Sequence, residues 1–448
     1  MVLKLKDVFG VSKQRVQSYL ERDAVDGFFV KAVGSDNHII VYGSSKQGKT
    51  SLVDKHLPYE SNVLVSCTPK FEPTDIYKSI LRNENIQIES TSEQLAGTAS
   101  KLTVSTKFKA ILPFLGSGEA GVGGETGANS SKKTSYAAIE LNLALPQDIS
   151  NLLRRVGFKK FIILENFHYL SVDAQKTLAF DLRSFQELGI RFVILGVWRE
   201  KNRLTQFNGD LQDRIIEVAV EPWSTAEFIE VIRIGSGKLN VSIDPGIQEK
   251  LIESAFDSIG VVQELVKEVW PGAGIEERQD SHKQITDSTL LEAAVAKKTG
   301  DYSARHLRAL ENIAEGRKSK RATEDSVPLY LPYYTVKAWL SFPFDQVVKG
   351  IRREKLEEQI KKDHHRAKDV RPGDMSNLLH NFAELQSEKG IIPPIFDYDQ
   401  NTRTMRVVDS TFYFFLRHVD KNQVLSNIEN PIDRLERRGK LNLIPRSE

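Results

Sequence analysis

Cysteine is nearly missing from this chain. Cys67 is the single one in 448 residues. One thiol excludes an intrachain disulfide framework and a cysteine-built zinc site, and it fits a reducing compartment. A charge excess is missing too: 62 basic residues face 60 acidic ones, for a formal net charge of +2. Bulk charge therefore says nothing about partners, and a nucleic-acid surface has to come from local clustering. Long apolar runs are also absent. The longest are strand-sized, far short of the roughly 20 residues that span a bilayer. The N-terminal MVLKLKDVFG has no run suited to a signal peptide. The expectation is a soluble, cytoplasmic protein with no membrane partner.

The rest is ordinary for a globular protein, with 40% hydrophobic and 27% charged residues. The length suffices for two or three units with sizeable cores. Gln14–Val30 reads as a helix. Asn37–Tyr42 reads as a short β-branched strand running into Gly43. A helix over Ser51–His56, a strand over Asn62–Ser66 and a helix from about Thr74 follow. The pattern breaks over residues 90–136, where FLGSGEAGVGGETGANSSKK is rich in Gly and Ser. This reads as an exposed, flexible insertion, either a tolerated surface loop or a lid or partner contact.

Regularity resumes with a helix over Gln147–Val156, a strand over Phe161–Leu164, a helix over Asp173–Leu188 and strands over Arg191–Val197 and Arg214–Val220. Alternating strands and helices predict an α/β core with a parallel sheet. Ser224–Ile234, Pro245–Phe256 and Ile259–Val269 read as helices of a small lid. Residues 281–325 add further helix and the polar stretch GRKSKRATED, a linker. In the last 120 or so residues, helices are expected over Tyr334–Trp339, Phe344–Lys361 and Met375–Glu388. Arg371-Pro372-Gly373 reads as a turn and Gly390 as a cap. Ile392–Tyr398 and Thr404–Val408 form a hairpin around Asp399-Gln400-Asn401-Thr402. Thr411–His418 is a final apolar helix or strand. Helices followed by a hairpin give a winged-helix layout. The expected divisions are a nucleotide core over 1–222, lid and linker over 223–325, and a winged-helix unit over 326–448.

Gly43-Ser44-Ser45-Lys46-Gln47-Gly48-Lys49-Thr50 fits G-x-x-x-x-G-K-[ST] in full, with Ser51 opening the next helix. The glycines let the backbone curl so that amide groups face phosphate, and the helix adds its positive end. Lys49 is expected on the β- and γ-phosphates of ATP, and the Thr50 hydroxyl on Mg²⁺. An apolar strand before and a helix after make a chance match a poor alternative.

The magnesium partner should be an acid ending a second buried strand. Glu165 after Phe161–Leu164 supplies one, about 115 residues further on. The bland alternative is a surface acid closing a core strand. Asn166 follows, a residue that can orient water but cannot take its proton. Glu165 or His168 would then assist, or hydrolysis is slow and nucleotide acts as a switch. His168 reads as a satisfied structural histidine or a nucleotide sensor. Arg199, just past the RFVILGV strand, is a candidate for the γ-phosphate, with Asn202 and Arg203 as rivals. Arg214 is a candidate for a neighbouring subunit's site. Each of these arginines is otherwise a solvated or salt-bridged group.

Taken together, GSSKQGKTSL and FIILENFHYL resemble the AAA+/STAND ATPases, in particular origin-recognition initiators and bacterial signalling ATPases, some of which act in defence. The resemblance implies an ATPase core, a helical lid and a winged helix. Tyr19 and Arg22 would lie near adenine. The family's acidic pair is here Glu165-Asn166. The lid arginine that often follows a glycine is missing from Gly260-Val261-Val262-Gln263, which favours binding over rapid hydrolysis.

The C-terminal unit carries Arg352, Arg353, Lys355, Lys361, Lys362, Arg366, Lys368 and Arg371 among five acids. A DNA-binding winged helix would offer double-stranded DNA Ser376, Asn377, His380 and Asn381, with Arg403 and Arg406 in the wing. A protein effector or a homo-oligomer contact is the other use of such a module.

Overall fold

The structure, a computed structural model, describes residues 2–11, 15–92, 106–113, 136–317 and 327–437. β1 (His38–Tyr42) runs into the glycine loop, and β2 (Val63–Ser66) follows one helix later. β3 (Gln87–Ser92), β4 (Thr106–Pro113) and β5 (Tyr136–Leu141) pair antiparallel with one another. β6 (Ile162–Glu165), β7 (Phe192–Gly196) and β8 (Ile215–Ala219) complete the main sheet. That sheet has the order β2-β6-β7-β1-β8 and is parallel throughout. β1 and β7 are buried along their whole length, as expected for strands covered on both faces.

Helices Pro73–Asn83, Pro146–Arg155 and Val172–Glu187 cover one face of the sheet, and Phe29, Ala32, Leu52 and Val53 cover the other. The chain then leaves the sheet. Thr225–Lys238, Pro245–Ala255 and Ile259–Gly272 form a helical unit with its own core. It carries the short parallel pair β9 (Val241–Ile243) and β10 (Lys283–Ile285). Leu5, Val8 and Phe9 from the N-terminus join that core. The 27-residue helix Thr289–Glu315 leads to the last unit.

There, Leu331–Ser341, Arg353–Asp363, Pro372–His380 and Phe382–Glu388 pack on a three-stranded sheet. Its strands are β11 (Ile351–Arg352), β12 (Phe396–Asp399) and β13 (Thr404–Val407), in the order β11-β13-β12. This is a winged helix. Thr411–His418, left open between helix and strand, lies in a helix over Ser410–His418. No helix among the described residues is long and apolar enough to cross a membrane.

Several expected elements differ. The helix over Gln14–Val30 is absent from the described part before Asp23. Residues 15–22 are extended or turned, and helix begins with a π-type turn at Asp23–Gly27 that continues into Phe28–Val33. The Asp26 carboxylate accepts from the Arg22 amide at 2.9 Å and from the Tyr19 hydroxyl at 2.6 Å. It thus caps the turn and holds the stretch before it out of helix.

The range 90–136 is not irregular where described, because its ends lie in β3, β4 and β5. The Gly-rich run 114–133 and most of GRKSKRATED lie outside the described residues. Phe344–Lys361 is two helices. Gly350 at φ +86 ends the first, and a Cβ there would stand 2.7 Å from Thr404 Cγ2. That close approach lets Ile351 pair with Met405. Arg371-Pro372-Gly373 starts a helix instead of a turn, with Pro372 at its first position. The expected Met375–Glu388 helix is likewise broken at Asn381.

Candidate active site

The glycine loop leaves the C-terminal end of β1 between β7 and β8. Crevices at such strand ends are where open α/β sheets bind ligands. Gly48 has φ +87 and precedes the helix Lys49–His56. Gly43 has φ +151, and a Cβ on it would meet Val220 Cγ2 at 2.7 Å. Both positions therefore need glycine. Lys49 Nζ donates to Gly43 O at 2.9 Å and to Ser44 O at 2.6 Å, folding back over its own loop. Burial pushes the Lys49 ammonium down to about 8, against the opposing pull of Glu221.

Thr50 and Glu165 meet. Thr50 Oγ1 donates to Glu165 Oε1 at 3.1 Å, and the Tyr59 hydroxyl donates to the same oxygen at 2.6 Å. Tyr59 was not legible as a site residue, because it lies in a short turn with no motif around it. A hydroxyl beside a carboxylate offers hard oxygen donors, which suit Mg²⁺.

The loop forms one wall of a cavity of about 360 Å³. Gly10, Val11 and Ser18–Leu20 of the N-terminal segment also line it, as do Ile259, Gly260 and Gln263 of the lid. Tyr19 and Arg22 both line it. Arg22 stacks on Trp223 with 3.7 Å from Cζ to the ring centroid and donates from Nη2 to Val220 O at 2.9 Å. Gln263 stands where the lid lacks an arginine. Its Oε1 accepts from the Gly10 amide at 2.8 Å and its Nε2 donates to Ser18 Oγ at 3.1 Å, tying lid to N-terminal segment.

Asn166 and His168 line the same cavity. Asn166 has φ +58, a left-handed conformation that asparagine tolerates better than most residues. The backbone thus gives a reason for asparagine at this position. His168 does not match the satisfied reading, because neither ring nitrogen has a hydrogen-bond partner among the described residues.

The arginines divide. Arg199 turns toward the loop through Glu221, with Nε 3.7 Å from Glu221 Oε2 and Nη1 donating to the Tyr413 hydroxyl at 3.2 Å. Arg214 lies at the other end of the sheet, where its carbonyl accepts from the His38 amide at the start of β1. It pairs with Glu187 at 3.1 Å and donates to Gln186 Oε1 at 2.6 Å, and it does not join the other candidates. Arg203 is taken up by Asp397 at 2.7 Å and Glu200 at 3.2 Å. The Asn202 amide donates to Glu217 at 2.8 Å.

Two features were not visible in the sequence. Glu221 holds the outer side of the loop, accepting from the Ser44 amide at 2.8 Å, Ser44 Oγ at 3.1 Å and Gln47 Nε2 at 2.8 Å. The winged-helix unit also grips the loop. The Ser45 amide donates to Val408 O at 2.9 Å, Ser45 Oγ to Asp409 Oδ1 at 3.2 Å, and Ser410 Oγ to Ser45 O at 2.6 Å. Asp409 is fully buried and pairs with Arg305 at 2.7 Å.

On the outer face of that unit, Asn377, His380 and Arg403 are exposed. Ser376 instead accepts from Arg353, Asn381 bonds back to Asn377, and Arg406 donates to Lys349 O at 3.1 Å.

No protein-family model matches the sequence, and no curated protein matches it. Among solved structures, the chain is similar to the Walker-type ATPase paby2304 of Pyrococcus abyssi, with 14% identity and a TM-score of 0.45 over 91% of this chain and 98% of that one. It is similar to the Orc1 protein of Aeropyrum pernix, solved in complex with DNA, with 12% identity and a TM-score of 0.43 over 95% and 97%. It is also similar to Cdc6p from Pyrobaculum aerophilum, with 12% identity and a TM-score of 0.37 over 94% and 100%.

Proposed function

We propose that this protein is an ATP-binding switch in which the state of the glycine loop sets the position of the winged-helix unit. The observation that carries the reading is the bonding of Ser45, on the loop, to Val408, Asp409 and Ser410. A ligand seated on the inner side of that loop acts on the same peptide that the C-terminal unit holds from outside. The coupling is therefore one of shared backbone, and it is reciprocal.

ATP is the ligand this reading requires, with its phosphates over Lys49 and the amides of the following helix. Thr50 and Glu165 would hold Mg²⁺, and the pair they form at 3.1 Å fits that ion's preference for oxygen. The ion supplies charge neutralisation at the phosphates when bound. Lys49 adds a cation on the other side. Tyr59 fixes the Glu165 carboxylate by donating to it. Asn166 orients water and leaves it protonated, so hydrolysis by phosphoryl transfer to water is slow. In a homo-oligomer Arg214 would be the residue to reach a neighbour's phosphates, after leaving Glu187.

The test is nucleotide binding by calorimetry together with limited proteolysis of the whole chain. Wild type should bind ATP with Mg²⁺ and change its cleavage pattern, and Lys49→Ala should do neither. Binding without any change in cleavage would remove the switch and leave a plain ATP-binding protein. A second reading, a DNA-binding initiator or accessory ATPase, is favoured by the exposed Asn377, His380 and Arg403. Duplex DNA is the partner it requires, in place of a protein effector.

A further inference from the structure

His168 sits in a short turn, Phe167–Tyr169, immediately beyond Asn166 at the end of β6. Phe167 is buried against Trp198, with centroids 6.2 Å apart, and fixes that turn. The His168 ring packs on Tyr169 at 4.2 Å. A neutral imidazole has one N–H donor and one lone pair. Both His168 nitrogens are buried and neither has a partner among the described residues. Buried polar atoms in native proteins are almost always bonded, so an orphaned pair on one ring needs an explanation.

The surroundings supply one. His168 lines the cavity together with Lys49, Thr50 and Asn166. β6 and β1 are separated in the sheet by β7, so their ends stand about 10 Å apart. The space between them is where a group seated on the loop would project. Tyr19 and Arg22, from the N-terminal segment, line the same cavity. Burial, and then the charges of Lys49 and Arg203, push the imidazole down to about 3, so it is neutral. A neutral ring held among cations has an N–H to give and a strong reason to meet an anion.

We propose that His168 is a specificity-determining residue that donates its ring N–H to the terminal phosphate of a nucleoside triphosphate, so that the site distinguishes a triphosphate from a diphosphate. The inference rests on the nucleotide reading above and assigns the third phosphate a partner of its own. A diphosphate offers the ring no such acceptor.

The experiment measures the affinities of ATP, a non-hydrolysable ATP analogue and ADP, each with Mg²⁺, for wild type, His168→Leu, His168→Gln and Lys49→Ala. His168→Leu should weaken both triphosphates by about tenfold or more, the range of a hydrogen bond to a charged acceptor, with ADP within about twofold of wild type. His168→Gln keeps an N–H donor and should recover most of that loss. A purely structural role would weaken all three ligands alike, and that result, or no change at all, overturns the proposal. A triphosphate loss that His168→Gln fails to recover also counts against it. Lys49→Ala should lose every ligand. If wild type binds none of them, the nucleotide reading falls and this proposal with it. If wild type binds all three and His168→Leu leaves their ratio unchanged, only this proposal falls.

Discussion

Ser45 donates its hydroxyl to Asp409 at 3.2 Å although 364 positions separate them in the chain. The Asp409 carboxylate also accepts from the Thr411 amide at 3.0 Å and from its hydroxyl at 2.8 Å, while Arg305 lies 2.7 Å from the other oxygen. One buried acid thus joins the glycine loop, the long helix Thr289–Glu315 and the helix Ser410–His418 of the winged-helix unit. Burial alone would raise its carboxyl. His306, Arg305 and the two bonds from Thr411 outweigh burial and hold it below the usual carboxylate range.

Asp409→Ala removes one partner of a buried pair. We expect a loss of about 3 kcal/mol, at the low end for such pairs because Arg305 keeps 37% of its side chain exposed. Thermal melting should show it, and limited proteolysis should cut the protein faster than wild type. A melting temperature within a degree of wild type would contradict the structural role given to this acid.

Glu200 gives a pH dependence of definite sign. Burial, followed by the nearby Asp397, pushes its carboxyl up to about 8, with Arg203 opposing. The folded protein therefore keeps a proton that the unfolded chain releases near 4.5. Stability from this group is complete at low pH and falls as pH rises from about 4.5 toward 8. Glu200→Gln, which mimics the protonated form, should leave melting near pH 5 unchanged. It should raise stability by about 1–2 kcal/mol near pH 8. Melting curves across that range check it.

Asn166→Glu adds a proton acceptor beside the candidate phosphate site. Turnover should rise by about tenfold or more if proton removal limits hydrolysis. The change also places glutamate at φ +58, which should cost about 1 kcal/mol. Faster phosphate release with a slightly lower melting temperature is the expected pair of results. Unchanged turnover would mean that another step limits the reaction.

Binding of duplex DNA through Asn377, His380 and Arg403 predicts affinity that falls with salt. Each phosphate contact should contribute about 0.9 to the slope of log K against log salt. Arg403→Ala should reduce the slope by about one contact. Absence of binding at low salt would leave the winged-helix unit to a protein partner.

Local signals explain what was legible. The motif Gly43–Thr50 fixes its own backbone through two glycines, and the strands of the main sheet are mostly apolar, β8 being the one with an acid, Glu217, in its middle. Those parts, the lid helices and the hairpin at β12 and β13 could be read from neighbouring residues. The break at Gly350 also carries a local mark, since glycine is a poor helix former that readily takes the positive φ found there. The Gln14–Val30 stretch misled because helix-forming residues there are overridden by Asp26, which caps a shorter turn. Glu221, Gln263 and Asp409 carry no local mark. Their roles come from contacts across long sequence separations, which spacing along the chain does not encode.

The Gly260 amide donates to Lys46 O at 3.0 Å, and a Cβ on Gly260 would stand 2.8 Å from that same oxygen. The lid helix and the glycine loop therefore meet backbone to backbone, flanked by the Lys46 side chain and by Gln47, whose Nε2 donates to Asp257 O at 2.8 Å. Such a seam leaves little room for gradual adjustment. It either stays shut or parts as a whole, so any hinge that lets nucleotide in and out has to flex away from it, in the connection between β8 and the first lid helix or along the N-terminal segment that also lines the cavity.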